Sequence, residues 1–136
     1  MILCDVDKFK TWNGRLGHRE GDKILEKVAE VLGSNTRKSD LVARYGGDEF
    51  IIVAPNTKLE VALELAEQLK RLVSETVYIP NAAELPTGIT ISAGVAIYTK
   101  DSKTLFNDAD QALYRAKEAG RNCVRAVGIK HVQNII

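Results

Sequence analysis

Two carboxylates stand directly after two glycines in Arg44-Tyr45-Gly46-Gly47-Asp48-Glu49-Phe50, and two more sit two residues apart at Asp5 and Asp7. Asp48 and Glu49 lie between β-rich runs, so the glycines read as the turn of a tight hairpin with acids at its tip. A Gly-Gly turn can take positive φ at both central positions, and it leaves room for a ligand beside the backbone. Asp5 and Asp7 follow the apolar Ile2-Leu3-Cys4, and their spacing sends both to one face of a strand end. Carboxylates from separate elements suit a hard cation such as Mg²⁺ together with phosphate oxygens. Solvated strand ends would explain one acid well and four acids poorly, so a metal is expected among Asp5, Asp7, Asp48 and Glu49.

Basic residues stand where phosphates would need them. Lys10 follows the first acids, and Lys117 and Arg121 are four apart at the end of a helical run, which places them on one face. Balancing the helix C-terminal dipole would account for one of these two cations. Asn13 and Asp22 are helix caps by residue type. They also suit the edge of guanine, where Asp accepts from N1–H and the amino group and Asn complements it. His18 is expected in a structural hydrogen bond, Trp12 as a packed lid over its loop, and His131 in no role.

These groups need elements to hold them. Ile2-Leu3-Cys4 reads as a short buried strand. Residues 8 to 21 contain Gly14, Gly17 and Gly21, which break the helical period and suggest a loop near a ligand. From Asp22 a helix buries Ile24, Leu25, Val28, Ala29, Val31 and Leu32 and stops at Gly33. Asp40 to Tyr45 and Glu49 to Ala54 are the hairpin arms. Thr57 with Glu60 signals a capping box for the next helix. Residues 77 to 88 are expected as a loop or small hairpin, and Ile89 to Tyr98 alternates as a strand. A last helix is expected over Lys103 to Ala119 with Gly120 as its stop, then a strand over Asn122 to Val127. The order is β-α-β-β-α-β with an added α-β, a ferredoxin-like α+β fold with helices expected on one face of an antiparallel sheet.

Whole-chain properties narrow the function classes. The 136 residues fit one domain, with 128–136 as a tail or linker, and 45% apolar with 27% charged residues is ordinary globular composition. A net charge of +1 argues against a nucleic-acid binder. No apolar run reaches the ~18 residues of a membrane helix, and no signal peptide is evident, so a cytoplasmic domain is expected, tethered to a membrane only through some other part of a longer protein. Cys4 and Cys123 read as free buried thiols in a reducing compartment.

Taken in order, the motifs resemble the GGDEF domain of diguanylate cyclases from about Ile2 to Ala126. They are Asp5-Val6-Asp7-Lys8-Phe9-Lys10 with Asn13, Gly17-His18-Arg19-Glu20-Gly21-Asp22, Arg44-Tyr45-Gly46-Gly47-Asp48-Glu49-Phe50, Ser92-Ala93-Gly94-Val95-Ala96, Ala109 to Lys117, and Gly120-Arg121-Asn122. The resemblance implies a nucleotide-cyclase or polymerase-palm-like fold. It also implies a nucleotidyltransferase of bacterial second-messenger signalling, which condenses two GTP into cyclic di-GMP with release of pyrophosphate. Each domain would bind one GTP, so a homodimer is needed. Asp5, the Val6 carbonyl and Asp48 would hold Mg²⁺ or Mn²⁺, with Glu49 as base or further ligand. Lys117, Arg121, Lys10 and the backbone at Lys8 and Phe9 would grip phosphates beside Gly46 and Gly47, and Asn13 and Asp22 would read guanine. Arg44 would stabilise phosphoryl charge or act as a structural ion-pair partner. Arg37 and Asp40 resemble the product-inhibition site, where cyclic di-GMP binds.

Departures from the family pattern are also visible. Its first helix and Asp-x-Leu-Thr segment are absent, Gly14 replaces an Asp, and Lys8 stands where bulky residues are common. The alternative function is a non-catalytic module that binds GTP or cyclic di-GMP as a regulatory receptor. A sensor or receiver domain is the expected attachment in the full-length protein.

Overall fold

The computed structural model describes residues 1–79 and 88–127. Residues 80–87 of the loop expected over 77–88, and the tail 128–136 with His131, lie outside them; Tyr78 and Gly88, which bracket that loop, form an antiparallel bridge. The elements run β1 (Ile2–Val6), α1 (Phe9–Leu16), α2 (His18–Ser34), β2 (Leu41–Arg44), β3 (Glu49–Val53), α3 (Leu59–Thr76), β4 (Ile91–Val95), α4 (Ser102–Glu118) and β5 (Val124–Ala126). The five strands lie in the order β2-β3-β1-β4-β5. Each of the first four runs antiparallel to its neighbours among them, as in a ferredoxin-like core, and β5 adds itself parallel to β4.

Helices cover both faces of this sheet, not one as expected. Ile2, Cys4 and Val6 of β1 face the main core with α2 and α3, whereas Leu3 packs with Ala109 and Leu113 of α4 on the other side. A strand buried on both faces loses the apolar–polar alternation, which is why β1 and β4 are buried at every position. Gly94 permits this second layer, since a Cβ there would collide with the α4 backbone at Ala109 and Leu113. The strand expected over Ile89 to Tyr98 is shorter, and Ile97 lies beyond β4 and is 41% exposed.

The glycine-rich stretch 8–21 is two helices, not a loop. Gly17 (φ 89) breaks the chain between α1 and α2. Gly14 lies inside α1, and Gly21 lies inside α2, where Asn13 fills the space a Cβ would need. The helical period fails here because two helices approach closely, not because the backbone opens. Neither Asn13 nor Asp22 is a cap, since both lie within helices. The capping box at Thr57 does not form either. Lys58 is the N-cap without a side-chain bond, and the Thr57 hydroxyl donates to the Pro55 carbonyl at 2.9 Å. Among the described helices, the N-cap side chain that does bond is Asp101, which accepts from Thr104 N at 2.7 Å at the start of α4.

Candidate functional site

The β2–β3 turn is wider than a two-residue hairpin. Tyr45 N–H donates to the Glu49 carbonyl at 2.8 Å, and the Arg44 guanidinium donates to the carbonyls of Gly46 (3.1 Å) and Gly47 (2.6 Å). Neither Gly46 nor Gly47 takes the left-handed backbone expected of it; among the described glycines only Gly17 and Gly120 do. A Cβ at Gly47 would meet nothing within 4 Å, so the fold itself does not demand glycine there, and at Gly46 it would come within 3.3 Å of the Glu49 carboxylate. The turn is then tied to the end of β1, because Val6 N–H donates to the Asp48 carbonyl at 3.0 Å. That one bond brings Asp48 against Asp5.

Asp5 is 7% exposed, and its Oδ1 is buried with no hydrogen-bond partner in the structure. Its Oδ2 meets the Lys117 ammonium. Across the β1–β3 ladder Asp5 stands directly opposite Glu49, a like-charged pairing that destabilises a sheet. Burial pushes the Asp5 carboxyl up to about 6; the Lys117 ammonium opposes this and the Asp48 charge adds to it. Unmet buried charge of this kind suits a cation. Among the described residues, however, no three His, Cys, Asp or Glu side chains converge. Two carboxylates and a nearby carbonyl are too few for an all-protein cage and enough for a cation that shares its coordination with phosphates.

Asp7, expected in the same carboxylate group, is committed elsewhere. Its Oδ1 accepts from Ser92 Oγ (2.6 Å), and its Oδ2 accepts from Thr90 Oγ1 (2.7 Å) and the Asn122 N–H (3.0 Å). It still lines the cleft, an opening of about 460 Å³ whose other walls are Asp5, Val6, Lys8, Phe9, Lys10, Asp48, Glu49, Lys117 and Arg121. Ten residues singled out from the sequence therefore meet in one place. Lys8, at φ 57, turns the chain from β1 into α1, and its carbonyl accepts the Trp12 N–H at 3.1 Å. Lys8, Phe9 and Lys10 thus bring the start of α1 to the cleft wall, and the first N–H groups of a helix have no intrahelical partner, a favourable setting for an anion.

Lys117 and Arg121 reach the cleft by different means. Gly120 (φ 111) ends the last turn after α4 with Gly120 N–H donating to the Lys117 carbonyl (3.3 Å) and Arg121 N–H to the Ala116 carbonyl (3.1 Å). Arg121 lies past the reversal, so the helical four-residue relation expected between it and Lys117 does not hold. The turn brings them together instead.

Asn13 and Asp22 do not line this cleft. Asn13 bonds the exposed His18 ring (3.1 Å), the structural partner expected for His18. Asp22 is exposed and lines a neighbouring cavity with Leu25, Val42, Arg44 and Phe50. Trp12 packs against the core, with the Arg15 guanidinium 5.6 Å above its ring. Arg37 and Asp40 lie apart, on the turn before β2. Arg37 N–H donates to Asp40 Oδ2 (2.9 Å), and the guanidinium reaches Asp40 Oδ1 (3.0 Å) and Thr57 Oγ1 (2.5 Å). Cys4 and Cys123 are both free, Cys4 buried and Cys123 half-buried. Among the described residues no helix is long and apolar enough to cross a membrane.

A profile of the family described as "Diguanylate cyclase, GGDEF domain" matches residues 1–123. Diguanylate cyclase A of Treponema denticola is 39% identical over 127 residues, covering 91% of this chain and 34% of that protein. The active GGEEF domain of a diguanylate cyclase from Vibrio cholerae superposes with a TM-score of 0.81 at 36% identity, covering 91% of this chain and 79% of that one. The GGDEF domain of DgcB from Caulobacter crescentus, solved with c-di-GMP, gives 0.85 at 32% identity, covering 92% and 75%. The chain spans about a third or less of the length of the curated relatives it matches.

Proposed function

The chain belongs to the GGDEF domain family of diguanylate cyclases, and from that premise we propose that it condenses two GTP into cyclic di-GMP and two pyrophosphates at the interface of two facing copies. The observation that carries this reading is the orphaned Asp5 Oδ1, facing Asp48 in a cleft walled by Lys10, Lys117 and Arg121. In the reading, Asp5, Asp48 and the Val6 carbonyl hold Mg²⁺ or Mn²⁺. When bound, such a cation neutralises triphosphate oxygens and stabilises charge at the α-phosphate.

The protein's own groups do the remainder. Lys117 exchanges its contact with Asp5 for the terminal phosphates, joined by Arg121, Lys10 and the backbone N–H groups that follow Lys8. Asn13 and Asp22 read guanine at the far end of the nucleotide. Glu49, directly across the ladder from Asp5, acts as base or as a further ligand. Arg44 serves through the turn that it ties, which keeps Asp48 over β1. The 3′-hydroxyl of one nucleotide attacks the α-phosphate of the other and displaces pyrophosphate; the 3′-hydroxyl of the second then attacks the α-phosphate of the first, displaces the second pyrophosphate and closes the ring. One domain presents one nucleotide, so a homodimer is required.

Arg37 and Asp40 serve as an inhibitory site for cyclic di-GMP. A surface guanidinium already oriented by a carboxylate suits phosphate and guanine. A substrate such as GTP points to the cytoplasm, and in a longer protein the domain would follow a sensor or receiver module. The decisive experiment incubates the full-length protein with GTP and Mg²⁺ and separates products by chromatography. Cyclic di-GMP is expected; GTP binding without product would instead favour a regulatory receptor.

A further inference from the structure

We propose that Asp7 is a positioning residue for phosphate binding: its carboxylate holds the turn Gly120–Asn122 so that Arg121 is presented to the cleft. The inference rests on the phosphate role proposed above for Arg121. Three consecutive residues, Gly120 (φ 111), Arg121 (φ 65) and Asn122 (φ 47), have left-handed backbones, and two of them carry side chains. Each such non-glycine residue is disfavoured and persists only where its surroundings over-determine it. Arg121 N–H is held by the Ala116 carbonyl (3.1 Å), and the Asn122 N–H is held by Asp7 Oδ2 (3.0 Å). The chain then rejoins the sheet, where the Cys123 carbonyl accepts from Ala93 N–H at 3.0 Å.

A role as a staple between β1 and β4 would explain the bonds from Thr90 and Ser92. It does not explain the bond to Asn122, which comes from the one segment that strains to place an Arg at the cleft. The acceptor chemistry also fits. Asp7 is 7% exposed and receives three donors, which a carboxylate can satisfy together. An amide can reproduce this, because its oxygen can take Asn122 and Thr90 while the Ser92 hydroxyl rotates to accept from its NH₂.

The test uses 3′-deoxy-GTP, which lacks the attacking hydroxyl and so cannot be condensed, titrated into the full-length protein with Mg²⁺. Asp7→Ala is expected to weaken it roughly tenfold or more, the scale of a lost hydrogen bond to a charged group. Asp7→Asn is expected to stay within about threefold. Asp7→Ala/Arg121→Ala is expected to bind no more weakly than Arg121→Ala alone, because both lose one interaction. Hydrogen exchange at the Asn122 amide is expected to accelerate in Asp7→Ala while Ile52 and Val95 stay protected. Should Asp7→Ala fail to fold, Asp7→Ser, too short to reach Asn122, carries the same test. Additive losses, unchanged affinity in Asp7→Ala, or no rescue by Asn would each overturn the proposal. If Arg121→Ala itself binds normally, the phosphate role of Arg121 fails, whatever the exchange at Asn122 shows, and the proposal falls with it.

Discussion

Asp5 and Asp40 each face one basic side chain, and they are held in opposite ways. Asp5 has a single ammonium partner, an orphaned oxygen, the Asp48 charge beside it and Glu49 across the ladder. Asp40 is gripped by the Arg37 backbone N–H and by two nitrogens, Nε and Nη2, on one edge of its guanidinium. Burial works upward on both. At Asp5 it prevails, while at Asp40 the bonds from Arg37 outweigh it and hold the carboxyl below its ordinary value. A carboxylate can be satisfied by the fold or kept for a ligand. The Arg37 corner takes the first course and offers a finished surface. The Asp5 cleft leaves one carboxylate oxygen without a partner.

The largest effect that separates the two regions is on turnover. Asp48→Ala is expected to lower cyclic di-GMP synthesis by roughly a thousandfold, on the scale of several kcal/mol of lost charge stabilisation. Circular dichroism is expected to stay native, because the bond to Val6 uses the Asp48 backbone carbonyl and survives. An unchanged rate would remove Asp48 from the cation site. Next comes Arg37→Ala, which is expected to weaken cyclic di-GMP binding by calorimetry about tenfold or more and to relieve product inhibition. Equal product binding with and without Arg37 would make that corner purely structural.

Stability should respond in opposite directions. Asp5→Asn removes a charge that the ligand-free cleft does not satisfy, so its melting midpoint is expected to rise by about 3 °C, or ~1 kcal/mol, while cation binding is lost. Arg37→Ala strips Asp40 of its guanidinium and is expected to lower the midpoint by a similar amount. A fall in Asp5→Asn would mean that the Lys117 pair outweighs the repulsion. The smallest effect is the pH dependence. Between the ordinary carboxylate value and about 6, the folded state keeps an Asp5 proton that the unfolded chain has released. Ligand-free stability therefore falls as pH rises through that window, and Mg²⁺ with GTP should reverse the trend. Asp40 contributes stability above the ordinary carboxylate range that is lost as pH falls through its lowered value. Urea unfolding across this range should show the first slope in the native chain and a flatter one in Asp5→Asn.

Much of this was legible in the chain. The strand ending in Asp5, the Gly46–Glu49 hairpin, the final helix and its Gly120 stop all follow from local patterns. What was misread had non-local causes. Gly14 and Gly21 looked like loop residues because their helix neighbours cannot be seen in one dimension. The one-face expectation failed because α4 buries Leu3 and the strands beside it. Thr57, a plausible cap by type, was taken instead by Arg37 from 20 residues away.

Asp5 and Asp7 mark the boundary between the two kinds of information. Residue type, strand position and spacing make them equivalent, and the sequence by itself determined that carboxylates would stand at this sheet end among basic side chains. Only the tertiary structure decided between them. Thr90, Ser92 and Asn122 bring three donors to Asp7 from distant parts of the chain, whereas one oxygen of Asp5 receives none. Hydrogen bonds act over about 3 Å, so which carboxylate is satisfied depends on which strands come to lie side by side.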